Sequence, residues 1–157
     1  MRFILIDRIL ECVPGEYIVT KKNLTLAEEY LADHFPGFPV MPGVLMLEAM
    51  TQSAAWLIRL TDNYADSIIS LKEARNVKYN HFVQPGQTLT LRIEILSREA
   101  GEVKVKAQGW LDDVQALSAR LVLTHHGIGR DNPSLAWKDA AVIEELKKVY
   151  ELIAPQK

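Results

Sequence analysis

Met41-Pro42-Gly43-Val44-Leu45-Met46-Leu47-Glu48-Ala49-Met50-Thr51-Gln52-Ser53-Ala54-Ala55-Trp56-Leu57-Ile58 is apolar nearly all round and carries no basic residue before Arg59. Proline suits the first turn of a helix, where its missing N–H would be unsatisfied anyway, so the stretch predicts a helix from Pro42 to about Leu60. A helix with no polar face has to be covered on every side, which makes it central and buried. One residue resists that reading. Glu48 places a carboxyl among Leu, Met and Ala, and such a group needs either a partner or a job.

What covers the helix follows from the rest of the chain. Phe3 to Cys12 reads as a strand interrupted by Asp7-Arg8, and Pro14-Gly15 turns it into a second strand from Glu16 to about Leu24. Thr25-Leu26-Ala27-Glu28 has capping-box spacing and predicts a short helix to about Ala32. Beyond the central helix the period becomes two. Ile68–Tyr79, Thr88–Ser97, Val103–Leu111 and Val114–Thr124 are β-rich, and Val103, Val105 and Ala107 alternate with Lys104 and Lys106. Turns at Gly101-Glu102 and Asp112-Asp113 make the last three strands sequential antiparallel neighbours. The expected fold is α+β, a twisted antiparallel sheet wrapped around one long helix. After a linker from Gly127 to Pro133, residues 139–153 carry Ile143, Leu146, Tyr150 and Ile153 on one stripe, an additional amphipathic C-terminal helix. The division is a domain over 1–127, with 128–157 as linker and helix packed on that domain.

Bulk properties exclude several functions. A chain of 157 residues, 48% hydrophobic and 24% charged, is expected to form one domain. Its formal net charge of −2 offers no general attraction to nucleic acid or anionic lipid. No run approaches the roughly 20 apolar residues of a membrane span, and Met1-Arg2 leads into an apolar run too short for a signal peptide, so neither span nor export signal is expected. Cys12 is the single cysteine, which excludes an intrachain disulfide and fits a reducing cytoplasm. His81, His125 and His126 lack the spacing of a metal site, so no metal is expected.

His34 precedes Glu48 by fourteen positions, in the stiff loop His34-Phe35-Pro36-Gly37. An imidazole that titrates near neutrality and a carboxyl on an apolar helix make an acid/base pair. The block His34-Phe-Pro-Gly-Phe-Pro-Val-Met-Pro-Gly-Val-Leu-Met-Leu-Glu-Ala-Met-Thr-Gln52 resembles the 3-hydroxyacyl-acyl carrier protein dehydratases of the hot-dog fold, the FabZ-type enzymes. Phe3–Glu11 and Val77–Gly86 are similar to that family's opening strand and to the segment before its Val-x-Pro-Gly turn, so the resemblance covers about residues 3–125. Gln87 stands where the family usually has aspartate after Pro-Gly, and the helix at 139–153 lies beyond the family's usual end.

The resemblance implies a hydro-lyase that converts a 3-hydroxyacyl chain into its trans-2-enoyl counterpart. Such a reaction needs a base for the C2 proton, an acid for the departing C3 hydroxyl, and a donor for the thioester oxygen. His34 supplies the base and Glu48 the acid, since an apolar setting favours the protonated carboxyl. The Gly43 N–H at the helix start, with that of Val44, supplies the oxyanion donor. Gln52, one turn after Glu48, either orients the carboxyl or is plain polar lining.

No cofactor is implied, because the substrate hangs as a thioester on the phosphopantetheine of acyl carrier protein, or on coenzyme A. The resemblance also implies a homodimer at least, often a trimer of dimers, in which the histidine of one protomer works with the acid of its neighbour. Phe38, Leu45, Met46, Met50 and Trp56 are candidates for an acyl tunnel or are simply core. Arg59, Lys72, Arg75 and Lys78 are candidates for steering an acidic carrier, or are solvated charges. Two other readings remain, a hot-dog acyl thioester hydrolase and a catalytically silent acyl-binding subunit. Glutamate rather than aspartate at position 48 disfavours an isomerising dehydratase.

Overall fold

A computed structural model describes residues 3–130 and 132–155. Met1-Arg2, Asp131 of the expected linker, and Gln156-Lys157 lie outside the described residues. The strands are β1 (Arg8–Val13), β2 (Tyr17–Asn23), β3 (Ile68–Tyr79), β4 (Thr88–Glu99), β5 (Glu102–Leu111) and β6 (Val114–His126). The helices are α1 (Gly43–Thr61) between β2 and β3, and α2 (Ala136–Ile153) after β6. All six strands join one antiparallel sheet in the order β1-β2-β4-β5-β6-β3. This is the hot-dog arrangement. β3 leaves α1, crosses to the far side and pairs only with β6, so a twelve-residue strand forms one edge of the sheet.

α1 packs on β2 through β6 and forms the centre of the core. Met46, Ala49, Met50, Ala54, Leu57 and Ile58 are buried with Leu91 and Ile93 of β4 and with Val103, Val105 and Ala107 of β5. Each large apolar side chain enclosed this way contributes about 1.5–3 kcal/mol. The alternation read in β5 holds: Val103, Val105 and Ala107 point to the core and Lys104 and Lys106 to water. One polar contact crosses the core. Ser53 donates its hydroxyl to the Ala49 carbonyl (2.8 Å) and receives the Thr20 hydroxyl at 2.7 Å, so neither buried group is orphaned. Burial pushes the Cys12 thiol up to about 11, which leaves it a half-buried apolar group rather than a nucleophile.

Two local expectations change in this half of the chain. The strand expected from Phe3 begins only at Arg8, because the Leu5 N–H donates to the Gln52 side chain (2.9 Å) instead of entering the ladder with β2. The capping box at Thr25 does not form. Lys22 is only 5% exposed and its ammonium takes the Glu28 carboxylate at 2.5 Å, with Asp7 at 3.6 Å. A buried cation needs an anion more than a helix end needs a cap, and what remains is one 3-10 turn, Glu29–Leu31. Gln87 closes the Pro-Gly turn by accepting the Gln84 N–H on its side-chain oxygen (2.7 Å), while its carbonyl receives the Leu24 N–H (2.9 Å).

α2 begins three residues earlier than expected. Asn132 accepts from Ser134 N–H and the 3-10 turn Pro133–Leu135 runs straight into the helix. Asp139 therefore lies inside the first turns, not at the cap, and its carboxylate reaches back to the Ile128 N–H (2.6 Å), the Gly129 N–H (2.8 Å) and the Ser67 hydroxyl. The other end is tied by Arg8, which donates to the Ala154 carbonyl at 3.2 Å. Between these ties Leu146, Val149, Tyr150 and Ile153 pack on the core, with the Tyr150 ring 6.0 Å from Trp56.

The Ser67 hydroxyl, then the Gly129 and Ile128 N–H groups, hold Asp139 below its ordinary 3.8. A group depressed on folding stabilises the fold above its unfolded value and loses that contribution as pH falls through the folded one. Docking of α2 is thus expected to be flat from neutrality to about pH 4 and to weaken only below it. Asp139→Asn is expected to loosen α2 even at pH 7, read as faster proteolysis near residue 130 with the β-sheet signal intact.

Candidate active site

His34 is placed by a loop with little freedom. Phe35 carries φ +53°, an uncommon backbone for an aromatic residue, and the Phe38 N–H closes the turn on the Phe35 carbonyl at 2.7 Å. The Met41 N–H bonds the Val83 carbonyl (2.8 Å), which ties the loop to the segment after β3. His34, edge-on to the Phe35 ring at 4.5 Å, faces a cavity of about 290 Å³ shared with Met41, Gly43, Met46, Tyr79 and His81.

Gly43 joins that cavity to the start of α1. Pro42 stands at the N-cap, and the first bonds of the helix are Leu45 and Met46 N–H to the Pro42 carbonyl (2.9 and 3.1 Å). Among the described residues the N–H groups of Gly43 and Val44 have no acceptor, so they point out of the helix end as donors. A Cβ on Gly43 would stand 3.1 Å from the Tyr79 ring, so glycine is what lets β3 close over the helix start.

Glu48 lies elsewhere. It is half-buried on the wall of a second cavity of about 610 Å³, with Phe3, Gln52, Trp56, Arg59 and Leu146. Enclosure is therefore partial, and a hydrogen bond replaces the expected apolar burial: Gln52 Nε2 donates to the carboxylate at 3.0 Å. The same amide donates to the Phe3 carbonyl (3.1 Å) and accepts from the Leu5 N–H, so Gln52 is oriented by backbone on one side while it orients Glu48 on the other. Gln52→Leu is expected to cost about 1–3 kcal/mol, because the Leu5 N–H loses its acceptor beneath a buried residue; urea unfolding measures it. Among the described residues, His34 and Glu48 line two different cavities of one chain.

Residues 1–120 match the FabA-like domain. The chain belongs to the FabA-like family. A 3-hydroxyacyl-[acyl-carrier-protein] dehydratase FabZ of Janthinobacterium sp. (strain Marseille) is 40% identical over 137 residues, 83% of this chain and 86% of that protein. The protein of the same name from Lactobacillus helveticus (strain DPC 4571) is 38% identical over 118 residues, 75% and 80% of the two chains. Among solved structures, the dehydratase heterocomplex ApeI:P from Xenorhabdus doucetiae superposes with a TM-score of 0.67 at 14% identity, covering 80% of this chain and 84% of that one. The smu.793 protein of Streptococcus mutans UA159 gives 0.61 at 11% identity over 81% and 94%. At such identities these two speak for the fold.

In this FabA-like chain the remaining candidates scatter. Met46 lines the His34 cavity and Trp56 the Glu48 cavity, whereas Met50 is sealed in the core and lines neither. Leu45 packs half-buried against the core, and Phe38 lies exposed, edge-on to Phe82. The four cations do not form one patch. Lys72 and Arg75 pair with Glu102 and Glu73 on the exposed edge of the sheet, and Lys78 is exposed farther along β3. Arg59 instead stands in the Glu48 cavity. His125 is 2.6 Å from the Asp66 carboxylate, His81 borders His34, and no three metal-ligating side chains converge among the described residues. No described helix is long and apolar enough to cross a membrane. Sequence reasoning missed Tyr79 as the cover of Gly43, since nothing in its local pattern distinguishes it from ordinary strand; that α2 walls the Glu48 cavity fits the alternative open to an amphipathic C-terminal helix, a cover for a tunnel mouth.

Proposed function

We propose that this chain is a hydro-lyase that removes water from 3-hydroxyacyl thioesters carried on acyl carrier protein, giving trans-2-enoyl thioesters in fatty acid synthesis. The observation that carries the reading is one helix, α1, with unpartnered N–H groups beside His34 at its start and the Glu48 carboxyl held by Gln52 farther along it. In the forward direction His34 takes the C2 proton, and the Gly43 N–H, assisted by Val44, stabilises charge on the thioester oxygen. Glu48 protonates the C3 hydroxyl, which leaves as water. The proton on His34 then passes to solvent and Glu48 is reprotonated, which closes the cycle without a cofactor.

His34 and Glu48 line different cavities, so two copies complete each site, the imidazole of one chain meeting the carboxyl of the other. The twelve-residue edge strand β3 offers unpaired backbone for joining two sheets, and Phe35, Val44, Tyr79 and Phe82 stand exposed beside the His34 cavity. The direct test follows loss of enoyl absorbance when purified protein meets a trans-2-enoyl carrier-protein thioester. Hydration supports the proposal. Release of free carrier thiol without hydration points to the hydrolase instead.

A further inference from the structure

The Glu48 cavity continues well past the acid. Its floor is one helical stripe, Glu48, Gln52, Ala55 and Arg59, at spacings of four, seven and eleven residues. At 1.5 Å per residue and 3.6 residues per turn, Arg59 lies on the same face of α1, about 16 Å beyond Glu48. Ile69 and three α2 residues, Val142, Leu146 and Val149, supply apolar wall. α2 follows the part of the chain that matches the FabA-like domain, so this wall is an addition to the fold.

Arg59 occupies the far end in an unusual state. Its Nε is buried with no hydrogen-bond partner, and no carboxylate of the described residues lies within ion-pair distance. Glu145, on the same wall, pairs with Lys148 at 3.3 Å. The guanidinium lies 5.5 Å from the Trp56 ring and in the last turn of α1, where the helix dipole favours a cation. Neither supplies an acceptor to its N–H groups. Burial brings Arg59 down to about 10, the mark of a cation short of compensation.

We infer that the cavity takes acyl chains whose far end bears an anionic oxygen group, in the simplest case a carboxylate, and that Arg59 selects for it. The inference rests on the dehydratase reading for the thioester end: with the reacting carbons at Glu48, the chain runs along the stripe and its terminus reaches the guanidinium. An extended chain advances about 1.2 Å per bond, one third of the rise of an extended residue, so the span corresponds to roughly thirteen bonds. A methyl terminus there would leave Arg59 desolvated and unpaired, whereas a carboxylate would form the charge-assisted bonds it lacks.

The test compares kcat/KM for two 3-hydroxyacyl carrier-protein thioesters of equal length, one ending in methyl and one in carboxylate, for the native protein, Arg59→Leu and Arg59→Lys. Calorimetric titration with the corresponding pantetheine thioesters runs in parallel. The native protein is expected to favour the carboxylate about tenfold to a hundredfold, Arg59→Leu to reverse the preference, and Arg59→Lys to keep part of it. Equal turnover of both chains, or a preference untouched in a folded Arg59→Leu, overturns the inference and leaves the dehydratase reading standing. If neither thioester is turned over, that reading fails, and the titration decides here: tighter carboxylate binding lost in Arg59→Leu supports the cavity assignment, and equal binding overturns it.

Discussion

His34→Ala and Glu48→Gln are each expected to lower enoyl hydration by about 10²- to 10⁴-fold with the fold intact, and a 1:1 mixture of the two, dissociated and reassociated, is expected to recover about a quarter of native activity. The single losses follow from the proposed chemistry. His34→Ala removes the imidazole proposed to take the C2 proton beside the Gly43 N–H, and an amide at position 48 accepts the Gln52 bond but donates no acidic proton. Recovery follows from the geometry. Because His34 and Glu48 face separate cavities, the proposed two-chain site would, in a mixed dimer, join the intact histidine of one chain to the intact glutamate of the other at one of its two sites. Random pairing makes half the dimers mixed, each with half the sites restored, hence about a quarter. Activity that stays at the level of the single variants would place both groups of a site on one chain.

Gly109→Val is expected to destabilise the fold by more than about 4 kcal/mol, a large share of the usual 5–15. Gly109 faces the core from β5, in register with Leu91 on β4 and Leu117 on β6. Both leucines are fully buried, and their methyls lean across the space a side chain would fill. A Cβ there would stand 2.3 Å from Leu117 and 2.9 Å from Leu91, with Leu89 at 3.3 Å. Valine's β propensity returns only about 1 kcal/mol, and overpacking alone costs about 1–3 for the smaller Gly109→Ala. For a chain of this size each kcal/mol lowers Tm by about 2–4 °C, so a thermal scan separates the two variants. Adding Leu117→Ala to Gly109→Val is expected to restore part of the loss by returning volume. No restoration would mean that the loss arises outside this contact.

Most of the fold could be read from pattern, because periodicity is a direct record of burial. An all-apolar run with Pro42 at its start gave α1 to within a residue, and the Val103-Val105-Ala107 alternation gave β5 and its neighbours. Where expectation failed, a distant partner had taken the hydrogen bonds. The Phe3–Ile6 segment follows Gln52 rather than β2, and Glu28 serves the buried Lys22 rather than a cap. Asp139 looked like a helix-start residue and instead binds the 128–129 backbone.

His34 and Glu48 were a candidate acid/base pair from residue type and spacing, and Gly43 joined them through the reaction that the resemblance implies, because an imidazole, an acid on an apolar helix and a free helix start carry their chemistry locally. The sequence could not say that the first two face one cavity and the third another, since that depends on how the sheet wraps α1 and where its edge is left open. Nor could it move Arg59 from the surface to the end of an apolar cavity. Eleven residues of helical phase align it with Glu48, but only α2, returning from the far end of the chain to pack on α1, makes that stripe a wall.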